Sequence, residues 1–164
     1  MSDRTFVDLE NLIRDGGVVA GCVPVADVPE LSDRLASRAG VVSWRLQARR
    51  DAHARIGLTL WLEGELVMQC QRCLGDMSYP LSHRWELSVV RAEADLPELG
   101  DEDEEVDCIV VPQALDVVAL VVEELLLALP MMPRHEGAEC HGSEGGTEGE
   151  RASPFAVLRP VRAT

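Results

Sequence analysis

Cys70 and Cys73 are the residues of this 164-residue chain whose spacing most directly permits chemistry. The segment Cys70-Gln71-Arg72-Cys73 falls between two stretches of strand period, and a tight turn there can aim two thiolates at one tetrahedral metal ion. A closed site needs two more ligands, and His135 with Cys140, or Cys140 with His141, follows a long apolar segment downstream. Three thiolates and an imidazole from Cys70, Cys73, His135 and Cys140 would form a structural zinc site, contributing folding free energy and leaving no open position for catalysis. The alternative is that the same cysteines are reduced core thiols without metal. Redox use is disfavoured, because a low-pKa dithiol is best supported at a helix N-terminus and this pair lies in a strand turn.

No other constellation is a convincing catalyst. Ser32, Ser37, Ser43, Ser78 and Ser82 sit in no nucleophile motif, and neither a glycine-rich phosphate loop nor a glycine-serine elbow occurs. Glu123 and Glu124 are neighbours on a helical segment and point about 100° apart, so they form no acid/base dyad and are expected on the solvated edge. His53, in a polar turn, and His83, on a strand face, read as structural. Trp44, Trp61 and Trp85 fall on successive strands, which raises a stacking platform for single-stranded RNA. Trp44 and Trp85 lie in the apolar phase and belong to the core; Trp61, in the opposite phase, is the one expected at an exposed contact.

The net charge of -14 is unevenly spread. Residues 1–55 balance eight acids with eight arginines, residues 56–150 carry 21 acids against Arg72, Arg84, Arg91 and Arg134, and residues 151–164 hold three arginines and no acid. Such acidity opposes a broad basic footprint for nucleic acid and suits either solubility or a basic protein partner, as ribosomal proteins are. The opening MSDRTFVDLE lacks the basic and apolar regions of a signal peptide. Leu115–Leu129 is shorter than the roughly 20 residues that span a bilayer and contains two glutamates. Five cysteines without an export signal imply a reducing compartment, and the cytoplasm is the expected location.

The elements that must position the cysteines follow from periodicity. Short strands are expected at Thr5–Leu9 and Gly16–Val25, with a weakly helical stretch between them. Asp27, followed by Pro29 and Glu30, predicts a short helix to about Ser37, closed by Gly40. Val42, Trp44, Leu46 and Ala48 alternate with polar residues, as do Ile56, Leu58, Leu60 and Leu62. A turn is expected at Glu63 and Gly64, then a short strand Glu65–Gln69, the cysteine turn, and a strand through Leu81–Val89. Sequential strands with short links predict an antiparallel, meander-like sheet. After a mobile acidic loop at 93–107 come a brief strand at Cys108–Val111 and a long apolar helix from Asp116 to Leu129, ended by Pro130 and Pro133.

The fold class is therefore α+β: a mainly antiparallel sheet with one short helix and one long C-terminal apolar helix packed on it. Residues 1–135 are expected to form one domain. Residues 136–164 then make a flexible acidic, glycine-rich linker ending in an apolar SPFAVL anchor, Ser153–Leu158.

Three ordered segments carry a resemblance to a known family. MQCQRCL at Met68–Leu74 is similar to the C-x-R-C turn of the bacterial and plastid YceD family; LDVVALVVEELLLALPMMPRH at Leu115–His135 resembles its long helix with the L-P-x-x-P-x-H ending; and SPFAVL resembles its terminal N-P-F-x-x-L, with Ser153 where asparagine is frequent. The resemblance implies a non-enzymatic ribosome-biogenesis factor that promotes synthesis, processing or accumulation of 23S ribosomal RNA, with no catalytic residues. It implies as partner a pre-ribosomal particle, with a basic ribosomal protein the contact that the charge favours. A metal- or thiol-dependent RNA-processing enzyme built on Cys70 and Cys73 is the alternative from another class.

Overall fold

Period-two alternation builds the centre of the molecule, and a computed structural model describes it for residues 5–51, 54–96, 107–137 and 140. The chain begins with a two-residue strand β1 (Phe6–Val7) and a short helix α1 (Leu9–Arg14). The Asp8 carboxylate caps α1, accepting hydrogen bonds from the amides of Glu10 (2.9 Å) and Asn11 (3.0 Å). Strands β2 (Val18–Pro24), β3 (Val41–Arg50), β4 (Ile56–Gln69), β5 (Asp76–Val90) and β6 (Asp107–Val110) form one sheet in that spatial order. A second pairing joins β1 to β7 (Leu115–Asp116), which leads directly into helix α2 (Val117–Ala128).

The first three junctions of the sheet are antiparallel and the last, β5 to β6, is parallel, with Leu87 opposite Asp107 and Val90 opposite Val110. A parallel neighbour requires a crossover, and residues between β5 and β6 supply it. Residues 97–106 of the acidic stretch lie outside the described residues; Glu93–Asp95 form a single 3₁₀ turn. The expected linker and SPFAVL anchor fall almost wholly outside the described residues as well.

One face of the sheet is covered. Leu46, Leu58, Leu60 and Leu62 from the strands meet Leu9 of α1 and Val117, Leu120, Val121 and Leu125 of α2 in one core. Each fully buried leucine contributes about 2 kcal/mol of transfer free energy, so this stripe is what holds helix to sheet. The indole of Trp44 lies across Gly21 on the edge strand, where a Cβ would come within 2.6 Å of it. Glycine there makes room for the ring.

Two expectations of local structure are corrected. The helix expected from Asp27 to about Ser37 does not form; single 3₁₀ turns at Val25–Asp27 and Pro29–Leu31 stand in its place. Proline disfavours helical geometry in the residue before it, and Val28 is held at φ -111° and ψ 88°. Val25, Val28 and Leu31 are all buried, and their spacing of three matches the tighter turn. Further on, Leu35 bridges to Met68 and the Ala36 amide donates to the Val67 carbonyl, drawing this stretch onto the sheet. The short helix of the fold is α1, on the stretch whose helical pattern is weak.

Nor does the chain turn at Glu63 and Gly64. Strand β4 continues through them for 14 residues, with Gly64 paired to Val42 on one side and Leu81 on the other. A Cβ at Gly64 would stand 3.1 Å from the Val41 carbonyl oxygen, so the glycine admits a close strand and marks no reversal.

Glu124 is a third correction. It is only 7% exposed, whereas Glu123 faces solvent as expected. Val117, Val121, Glu124 and Ala128 follow the helical repeat along the buried stripe, so the carboxyl is carried inward by its position. Its Oε2 has no hydrogen-bond partner among the described residues. Burial raises the Glu124 pKa above the ordinary carboxylate range, and the charges of Asp107 and Glu123 push the same way. The folded chain thus favours the protonated acid: this relative stability is full below the unfolded-state pKa and is lost as pH rises through the raised one. Glu124→Gln is expected to be more stable than the native chain in urea titration at about pH 7.5, with the difference shrinking toward about pH 4. Equal stabilities at both values would contradict the raised pKa of the buried carboxyl.

Candidate metal centre

The long hairpin of β4 and β5 ends in the turn that holds the first two cysteines. The Cys70 amide donates to the Gly75 carbonyl (2.9 Å) and the Leu74 amide to the Cys70 carbonyl (2.9 Å), folding the turn on itself. Leu74 adopts φ 61°, a left-handed conformation that an L-residue with a bulky side chain takes only under constraint. Beyond α2, Pro130 and Pro133 bend the chain back toward this turn, and the Gln71 amide donates to the Pro133 carbonyl at 2.8 Å. Tyr79 of β5 donates its hydroxyl to the Ala128 carbonyl, fixing the end of the helix over the same hairpin.

Those contacts bring together the four residues that the spacing singled out. The ligand atoms of Cys70, Cys73, His135 and Cys140 all lie within 4.8 Å of one another and could hold a metal ion. The sulfurs of Cys70 and Cys140 are 3.6 Å apart, and Cys73 Sγ is 3.3 Å from His135 Nδ1. Ligands at zinc-thiolate distances in a tetrahedron are separated by roughly 3.5–3.8 Å, so the edges already have the right scale. The sulfurs are free thiols and too far apart for a disulfide. His135 Nε2 lies 3.1 Å from the Asp76 carbonyl oxygen. A donor proton on Nε2 leaves the Nδ1 lone pair for the metal, the usual arrangement of a ligand fixed from behind. His141, the other ligand considered, lies outside the described residues.

Electrostatics at the cluster favour a cation. Burial opposes ionisation of Cys70, yet the backbone amides of Cys73, His135 and Arg72 point at its sulfur and lower its pKa to about 5. Cys140 is pushed up to about 11 by burial and by hydrogen bonding and charge from Cys70 and Cys73. One thiolate is therefore stabilised by backbone dipoles while the next is suppressed by its neighbours, and a bound cation removes that second obstacle. The ligand chemistry, two pairs with Cys70 and Cys140 buried and Cys73 and His135 partly so, fits a structural ion.

The remaining sequence candidates are dispersed. Ser32 and Ser78 donate to the Pro29 carbonyl and Glu65 carboxylate, and Ser37 accepts from the Ala39 amide. His83 stacks on Trp85 at 5.1 Å. That tryptophan, expected in the core, packs against it while remaining half-buried. His53 lies outside the described residues. Trp61 is half-buried on the open face, and periodicity alone missed its neighbours: Arg45 and Arg84 stand opposite it on β3 and β5, with guanidinium carbons 5.3 and 5.8 Å from the ring centroid. The three residues share the polar phase of three successive strands, a signal legible only once β4 is read as one strand.

An α+β domain in which a Cys₃His cluster, able to hold a metal ion, joins the turn of its longest hairpin to the segment after its main helix is the class these features define. Residues 58–159 match the family described as Large ribosomal RNA subunit accumulation protein YceD, a stretch that takes in the hairpin, α2 and all four residues of the cluster. Since the match spans more than half of the sequence, this chain belongs to the YceD family. No solved structure gives a significant match.

If the four residues ligate one ion, apo-protein titrated with cobalt(II) is expected to saturate at one equivalent, with the intense visible bands of tetrahedral thiolate coordination. His135→Ala should weaken binding and shift those bands. Octahedral, weak spectra in the native chain would remove the assignment.

Proposed function

We propose that the protein is a non-enzymatic ribosome-biogenesis factor, acting in the cytoplasm to promote the accumulation of 23S ribosomal RNA. Membership of the YceD family, over a stretch containing both the site and the elements that build it, carries this reading. The partner is a pre-ribosomal particle, engaged through a basic ribosomal protein; the acidic residues of 93–107 supply the complementary charge. Among the described residues no helix is long and apolar enough to cross a membrane.

Within this reading Cys70, Cys73, His135 and Cys140 hold zinc as a structural staple. Bound zinc supplies cross-linking free energy between the hairpin turn and the segment after α2. Four protein ligands complete a tetrahedron, which leaves no coordination position for a substrate or an attacking water. That closure favours a structural role over the thiol- or metal-dependent RNA-processing alternative.

Three measurements test the proposal. A deletion strain is expected to show a lowered ratio of 23S to 16S RNA, restored by the native gene; an unchanged ratio across growth conditions would overturn the biological reading. Purified protein incubated with precursor rRNA should leave it intact, and cleavage abolished by Cys73→Ser would establish the enzyme instead. Protein purified without an affinity tag should contain about one zinc per chain, and Cys140→Ser should lose it with a fall in Tm of roughly 10 °C or more. A metal-free native chain of unaltered Tm would return the four residues to ordinary packing.

A further inference from the structure

The face of the sheet turned away from the core is covered by no described element. On it a single cross-strand row runs Ala20, Arg45, Trp61, Arg84, from β2 to β5. The adjoining rows are polar: Ser43, Glu63 and Ser82 on one side are exposed, while on the other Glu86 is exposed, Gln47 half-buried and Thr59 buried. Arg45 and Arg84 are exposed, and Trp61 is half-buried between them. Placing a large indole there does not serve the core, which lies on the opposite face. Exposed cation–π pairs contribute little to folding, so stability does not account for the row either.

We propose that this row binds single-stranded RNA, with a base stacking on Trp61 and the flanking guanidiniums meeting phosphates. The inference rests on the reading above that the protein acts on ribosomal RNA, and adds a direct contact to it. Every base presents a π-face, and an aromatic residue on an open sheet with arginines beside it is the chemistry that takes unpaired bases. Arginine suits the position because its planar guanidinium can rest on the ring when the site is empty and turn to a phosphate when it is filled. Arg45 is available to do so, having no hydrogen bond or ion pair to another described residue. Arg84 is shared with Glu86, to which it is hydrogen-bonded.

Charge does not forbid the site. Fourteen of the 29 acids lie in residues 93–107 and 136–150, and the remaining 15 are matched by the 15 arginines. Locally, Glu63 and Glu86 offset Arg45 and Arg84, so attraction comes mostly from stacking and involves about two phosphates. A shallow salt dependence follows, with log K falling against log salt at a slope near ~-1.4 for a single strand. Duplex RNA, whose bases are already stacked inside, offers this row nothing comparable.

Binding of a labelled single-stranded 12-nucleotide RNA to the full chain, followed by fluorescence anisotropy, tests the proposal. Trp61→Ala is expected to weaken binding roughly tenfold or more, with Trp61→Phe recovering most of the loss. Arg45→Gln and Arg84→Gln should each reduce affinity severalfold and flatten the salt slope by about 0.7. Both arginines are exposed, so these variants decide the matter if Trp61→Ala unfolds. Native affinity in all of these variants would overturn the inference, as would capture of a polyglutamate peptide by the same residues with no RNA bound. A native chain that ignores the RNA, beside a deletion strain still short of 23S, sinks this contact alone. An unaltered 23S level in that strain instead sinks the reading it rests on.

Discussion

Everything positioned in this molecule depends on the unbroken ladder between β4 and β5. Fourteen cross-strand pairs, from Ile56 with Val89 to Gln69 with Asp76, hold the two strands in one register. A slip of one residue would turn the inward leucines to solvent, so burial of Leu58, Leu60, Leu62 and Leu66 locks the register in place. The same register puts the cysteine turn at one end of the hairpin and lines up Arg45, Trp61 and Arg84 near its middle. Site and face are thus set by one pairing, although their side chains point in different directions.

Past Gly64 the hairpin runs beyond the end of β3, and its far third would be a two-stranded arm if nothing else touched it. An isolated pair of strands is marginal in water. Here the arm is backed by Leu35 and Ala36 and by the end of α2, and the four-ligand cluster sits where those supports meet. A metal staple at that point is physically apt, because a cross-link between Cys70 and Cys140 closes a loop of 70 residues and ties the arm to the segment after α2.

Much of this was legible in the sequence. Ligand-type residues are rare enough that Cys70, Cys73, His135 and Cys140 could be paired by type and by the ends of predicted elements. The alternation of Val42–Ala48 and Leu81–Val89 marks the middle of β3 and the second half of β5, and Asp116 caps a helix as its position predicts. What escaped depends on contacts distant in sequence. Gly64 has the local character of a turn and is a strand residue because Val41 approaches it. Asp27 and Pro29 have the composition of a helix start, yet Val25, Val28 and Leu31 bury better at a spacing of three. Glu124 was misplaced because acidity outweighed its position on the helical repeat. Arg45 and Arg84 are 39 residues apart and meet only through Trp61 between them.

The parallel strand β6 pairs only with Leu87–Val90, which leaves the outer edge of β5 from Asp76 to Glu86 without a partner strand among the described residues. Such an edge is a template on which another copy could extend the sheet. Pro80 interrupts its row of amide donors, and Asp76, Arg84 and Glu86 place charges of both signs along it. A chain arriving in register would leave a carbonyl unpaired at the proline and set like charges together. Proline and mixed charge along this stretch thus work against its serving as a template for fibril growth.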